Sequence, residues 1–113
     1  MKNDPRERRR FRRVSFPCKI YILTAPLHVI KCKTENIGAG GVRVLIDENL
    51  PVSTTVGLEL YLSQKLIKCR GKVVWIVERK DQKKGPKFDI GLEFHQISSE
   101  DRETIDIFVK SLV

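Results

Sequence analysis

A chain of 113 residues is long enough for one compact domain with a modest core and too short for two. With 41% hydrophobic and 32% charged residues it is balanced for a soluble globular fold and too apolar for wholesale disorder. The net charge of +8 is concentrated, because Lys2, Arg6, Arg8, Arg9, Arg10, Arg12 and Arg13 against Asp4 and Glu7 leave +5 in residues 1–13, a pattern that favours a polyanionic partner.

Residues 1–13 read as a flexible arginine-rich arm, since nothing apolar in residues 1–10 offsets the like-charge repulsion. The next segment, Val14 to Leu23, places Val14, Phe16, Cys18, Ile20 and Ile22 on one side and predicts a first strand, with Pro17 confining its start to an edge position. Pro26 ends that run. Leu27 to Asn36 then alternates His28, Ile30, Cys32 and Thr34 against Lys31, Lys33 and Glu35, which predicts a second strand.

The stretch from Asn36 to Gly41 holds Gly38, Gly40 and Gly41, as expected where the backbone needs positive φ or approaches another group closely. Val42 to Ile46 and Val56 to Leu62 predict the third and fourth strands, separated by turn residues that include Asn49 and Pro51. The longest β signal, Leu66 to Glu78, carries Ile67, Cys69, Gly71, Val73, Trp75 and Val77 on one face, with Gly71 as a bend point. This phase places Trp75 in the core. After a polar loop, Phe88, Ile90, Leu92 and Phe94 mark the sixth strand.

The period then changes, with Ile105, Phe108, Val109 and Leu112 on one helical face behind a Ser98 cap. Glu100 and Asp101 suit the positive end of the helix dipole and Lys110 the negative end. The expected fold is therefore mainly β: a six-stranded antiparallel β-barrel over residues 14–113 with a C-terminal α-helix at about residues 98–112.

Cys18, Cys32 and Cys69 are odd in number, widely spaced and set in apolar or alternating segments, so they read as free thiols rather than disulfides or metal ligands. His28 and His95 have no partner at metal-ligand spacing, and no nucleophile motif, zinc-protease motif or phosphate-binding lysine loop is present. The chain is not expected to be an enzyme, and no metal or cofactor is implied. No apolar run approaches the ~20 residues of a membrane span and no secretory leader is evident, so a cytoplasmic protein is expected.

The informative pair of segments is Glu7 to Val14, with Arg9 and Arg13 in an RxxxR arrangement, and Glu35 to Val42, with Asn36 and Gly41 fitting (D/N)xSxxG. Together, in this order and separation, they resemble the PilZ family, and the later strands around Gly71 to Trp75 and Ile90 to Phe94 extend the likeness over nearly the whole chain. The resemblance implies a bacterial cyclic-di-GMP receptor, a second-messenger protein acting through an effector partner, commonly in motility, adhesion and biofilm formation or exopolysaccharide production. It assigns the ligand to Arg9 and Arg13, with Arg8 and Arg10 as auxiliary phosphate contacts, and to Asn36, Gly38, Gly40 and Gly41 on the turn. On this reading the arm orders over the barrel when ligand binds, and the chain is a monomer or weak homodimer.

One departure from the pattern is Gly38, where the family usually carries serine. A lost neutral hydrogen bond is worth roughly 0.5–1.5 kcal/mol, or about two- to twelve-fold in affinity. Two other readings stay open: a PilZ-like module that contacts proteins without binding nucleotide, and a small basic barrel that binds nucleic acid. The second is disfavoured because Tyr21, Tyr61 and Trp75 form no obvious stacking strip.

Overall fold

A computed structural model of the chain describes residues 11–80, 83 and 85–113. The strands are β1 (Arg13–Val14), β2 (Lys19–Thr24), β3 (His28–Gly38), β4 (Gly41–Ile46), β5 (Thr55–Leu62), β6 (Lys65–Arg79) and β7 (Lys87–Gln96), followed by helix α1 (Ser99–Lys110). Hydrogen bonding runs β1-β3-β2-β5-β6-β7-β4, and a further β3–β4 pairing closes β2 to β7 into an antiparallel barrel with β1 as an extra strand on β3.

The expected first strand is split in two. Pro17 has no N–H to give a ladder, so the chain leaves the sheet between Val14 and Lys19. Thr34 ties this detour down: its buried hydroxyl donates to the Phe16 carbonyl at 2.6 Å and accepts from the Cys18 N–H at 2.9 Å. The boundary drawn at residue 13 falls inside β1, since Arg13 pairs with Gly38 and Val14 with Ile37.

Inside the barrel, the alternation of β2, β4 and β5 delivers Ile20, Ile22, Val42, Val44, Leu58 and Leu60, all at most 1% exposed. Each such side chain contributes roughly 1.5–3 kcal/mol of burial. Helix α1 plugs one end with buried Ile105 and Val109, and Phe108 meets Phe16 edge-to-face at 5.5 Å. Its start is set as expected, with the Ser98 hydroxyl accepting from the Asp101 N–H at 3.1 Å.

Strand β6 departs from the simple alternation. Its register with β7 shifts between Arg70 and Gly71, the expected bend, and again between Val73 and Trp75. The second shift leaves Val74 as an extra residue, which reverses the faces beyond it. Trp75 and Val77 therefore point outward, 40% and 52% exposed, and the expectation that Trp75 packs in the core is overturned.

The described glycines of the β3–β4 turn do not use positive φ; that conformation falls on Gly85, Ser53 and Ser63 instead. They are there for close approach. A Cβ on Gly41 would lie 2.1 Å from the Leu92 carbonyl oxygen of β7.

Candidate functional site

Pairing across four strands lines up one row of residues on the outside of the barrel. Asn36 of β3 is opposite Arg43 of β4, Arg43 is opposite Gly91 of β7, and Gly91 is opposite Trp75 of β6. Their neighbours Ile37, Val42, Val44, Ile90 and Leu92 point inward and are buried. At about 4.8 Å between strands the row spans roughly 14 Å. Gly91 is needed in it, because a Cβ there would sit 2.2 Å from Trp75 Nε1. The indole lies against bare backbone.

Strand β1 brings Arg13 to the Asn36 end of this row. Its Nε and Nη2 both donate to Asn36 Oδ1, at 3.1 and 2.5 Å. Two donors on that oxygen set the amide orientation and turn the Asn36 NH₂ away from Arg13. Partial loss of solvation lowers the Arg13 pKa from its ordinary value, yet an arginine remains cationic. Gly38 lies beneath β1: a Cβ there would meet the Arg12 carbonyl oxygen at 2.5 Å and Arg13 Cγ at 2.9 Å. The missing serine is thus the space through which β1 reaches β3.

Phe11 and Arg102 close one end of the site. A Cβ on Gly40 would lie 3.0 Å from Phe11 Cδ2, Arg102 sits 5.2 Å from the Phe11 ring centre, and Arg102 Nη1 donates to the Ala39 carbonyl at 3.1 Å. Helix α1 therefore grips the β3–β4 turn through an arginine that also stacks on the N-terminal segment.

Arg43 is held from below. Its Nε and Nη2 donate to the two carboxylate oxygens of Asp89, each at 2.8 Å, and Arg79 Nη2 donates to the same carboxylate at 2.6 Å. Asp89 is buried at 3% exposure. The hydrogen bonds from Arg43 hold the Asp89 carboxyl below its ordinary value, opposed by burial and aided by Arg79. In return the bond to Asp89 raises the Arg43 pKa.

These groups line a cleft of about 910 Å³ that includes Phe11, Arg13, Asn36, Gly40, Arg43, Trp75, Glu93 and Arg102. Three guanidiniums, an amide and an exposed indole on one surface suit a planar, anionic ligand. Of the residues singled out in the sequence, Arg13, Asn36 and Gly40 line the cleft, while Gly38 is covered by β1 and Gly41 by β7. Arg8, Arg9 and Arg10 lie outside the described residues.

Sequence reasoning missed Arg43, Glu93 and Arg102. Arg43 and Glu93 sit at outward positions of β4 and β7, indistinguishable from solvated surface until the strands are paired. Arg102 had no signal at all, since the periodicity of α1 marks only its buried stripe. The three cysteines are free, as expected, with Cys18 buried and Cys32 and Cys69 partly so; burial pushes both of the latter thiols up to about 11. Among the described residues no cluster of His, Cys, Asp or Glu is placed to hold a metal ion, and no helix is long and apolar enough to cross a membrane.

The fold has solved counterparts. The Bacillus subtilis inhibitor of motility MotI (DgrA) superposes with a TM-score of 0.79 at 20% identity, covering 93% of this chain and 50% of that one. The PilZ domain of Escherichia coli YcgR, solved with c-di-GMP, superposes at 0.73 and 18% identity, covering 93% of this chain and 91% of the domain. K. pneumonia MrkH, solved as its c-di-GMP complex, gives 0.76 at 13% identity over 99% of this chain and 53% of that one. This chain thus spans about half the length of MotI and of MrkH. No curated protein sequence matches it. The PilZ domain family model matches residues 7–111, taking in the arginine motif, the glycine turn, every strand and the helix, and on that match the chain belongs to the PilZ domain family.

Proposed function

We propose that this chain is a cyclic-di-GMP receptor whose ligand lies along the row from Asn36 to Trp75. The observation that carries the reading is the Arg13–Asn36 pair, in which the second arginine of one motif is locked to the first residue of the other at the rim of a cationic cleft. YcgR and MrkH, solved with this dinucleotide, share the fold and support the choice of ligand.

Cyclic-di-GMP offers two phosphates and two guanines. Arginine forks bond phosphate oxygens bidentately and read guanine O6 and N7. Arg13 and Arg43 take these roles from opposite sides of Asn36, and Arg9 completes the set from the arm, with Arg8 and Arg10 adding charge. Asn36 orients Arg13 through Oδ1 and turns its NH₂ to a guanine acceptor. Trp75 stacks on one purine face, and the Glu93 carboxylate accepts from guanine N–H groups. The arm orders over the cleft on binding, and the changed surface is what an effector protein reads.

Trp75 is the single tryptophan, so tryptophan emission, excited selectively over Tyr21 and Tyr61, reports this site alone. Calorimetry and fluorescence at physiological salt, with cyclic-di-GMP, GTP and short single-stranded DNA, test the reading on wild type and on Arg9→Ala/Arg13→Ala. Binding that quenches Trp75, discriminates against GTP and is lost in the double variant is the expected result. A folded sample that does not bind cyclic-di-GMP sinks the proposal in favour of the protein-interaction reading.

A further inference from the structure

The wall of the barrel farthest from the cleft carries a second arrangement that nucleotide binding does not use. In the closed order, β2 and β5 lie three strands away from β7 and β4 respectively. With Ile20, Ile22, Ile30, Leu58 and Leu60 turned inward, the outward residues here are Lys19, Tyr21, Lys31, Lys33, Glu59 and Tyr61, continued by Lys68 of β6.

This patch is organised. Tyr21 and Tyr61, which sequence reading left unconnected, meet edge-to-face at 5.5 Å. Lys19 Nζ lies 5.6 Å from the Tyr21 ring centre and 5.0 Å from that of Tyr61, and Lys31 Nζ lies 5.6 Å from Tyr21. Among the described residues, none of Lys19, Lys31, Lys33 and Lys68 forms a salt bridge. Lys19 and Lys33 are direct cross-strand partners. Like charges opposite one another weaken a sheet, so folding alone gives no reason for this pair.

We infer that the outer face of β2, β3 and β5 is a docking surface for an acidic protein. Charge complementarity names the partner: four exposed lysines surround two tyrosines and one acid. The chemistry favours protein over nucleic acid. Single-strand binders present open aromatic faces to bases, whereas here ammonium groups stand over the rings. The patch is also edged by exposed Val29 and Leu66, apolar contacts that a protein partner uses and a phosphate backbone does not. Because the surface faces away from the cleft, a partner docks there with the cleft empty or full.

The test titrates the ¹⁵N-labelled full chain with a short poly-L-glutamate peptide and, separately, with oligothymidylate, following amide shifts. The peptide is expected to move resonances around Tyr21, Lys31 and Tyr61 and to leave Asn36, Gly91 and the Trp75 indole in place. Lys31→Glu/Lys33→Glu is expected to weaken peptide binding at least about tenfold with an unfolding midpoint no lower than wild type, since a glutamate in place of Lys33 would face Lys19 as an opposite charge, and Lys19→Gln/Lys68→Gln to weaken binding less. Shifts confined to residues 11–14 and the cleft, or wild-type affinity in both variants, overturn the inference. Tighter binding of oligothymidylate than of peptide on this face overturns it too, in favour of a nucleic-acid surface. Cyclic-di-GMP does not enter the experiment, so its result stands apart from the cleft reading.

Discussion

Two arginines face each other across Asn36, and they are held in different ways. Arg43 is bound on two nitrogens by a buried carboxylate that a second arginine also grips. Arg13 stands on a two-residue strand and is oriented by one neutral amide oxygen. The first is fixed before any ligand arrives, because moving it would leave a buried charge short of partners. The second can swing with β1 at the loss of two ladder positions and a modest hydrogen bond. One side of the cleft is thus a template and the other a clasp, an arrangement suited to a receptor that must both recognise and respond.

The largest expected effect tests the template. Arg43→Ala leaves the Asp89 carboxylate with Arg79 alone and is expected to reduce stability by about 3 kcal/mol in urea unfolding, near the lower end of the range for breaking a buried pair. Arg13→Ala should behave oppositely: stability within about 0.5 kcal/mol of wild type, but affinity for cyclic-di-GMP down by about 2 kcal/mol, or roughly thirtyfold. Equal destabilisation by the two variants would erase the distinction between template and clasp.

A smaller effect is expected from Gly38→Ser, which restores the residue usual in the family. The new Cβ meets the Arg12 carbonyl, so β1 must shift, at about 1 kcal/mol of stability, and the Arg13 Nε–H resonance should move toward that of a solvated side chain. An unshifted Arg13 signal would show that β1 accommodates a side chain after all.

The smallest effect is in pH dependence. Because the folded Asp89 pKa is depressed, the unfolded chain binds more protons in acid, and stability rises with pH there. The contribution is full above the unfolded value near 4 and drains away as pH falls through the folded one. Asp89→Asn should flatten this acid limb, whereas Asn36→Ala should leave its slope unchanged.

Much of the barrel can be read from local pattern. Period-2 alternation located the six main strands to within a few residues, and the switch to helical spacing behind Ser98 located α1. The motif residues Arg13 and Asn36 were also visible, because backbone position and side-chain chemistry coincide there. Beyond these, alternation says which face a residue takes only while the register holds. A single extra residue at Val74 carried Trp75 from the expected core to the floor of the cleft.

What the sequence determined by itself is what short-range physics controls: a mainly β fold, its strands, its capped helix, and a basic segment ahead of a glycine turn. Only the tertiary structure decided which strands adjoin, and so which outward residues share a surface. Pairing β3, β4, β7 and β6 assembled Asn36, Arg43, Gly91 and Trp75 into one row, while pairing β2 with β5 set Tyr21 and Tyr61 together on the opposite wall. The reason is that strand neighbours in a barrel are chosen by long-range pairing and bulges, and neither leaves a periodic trace in the residues it brings into contact.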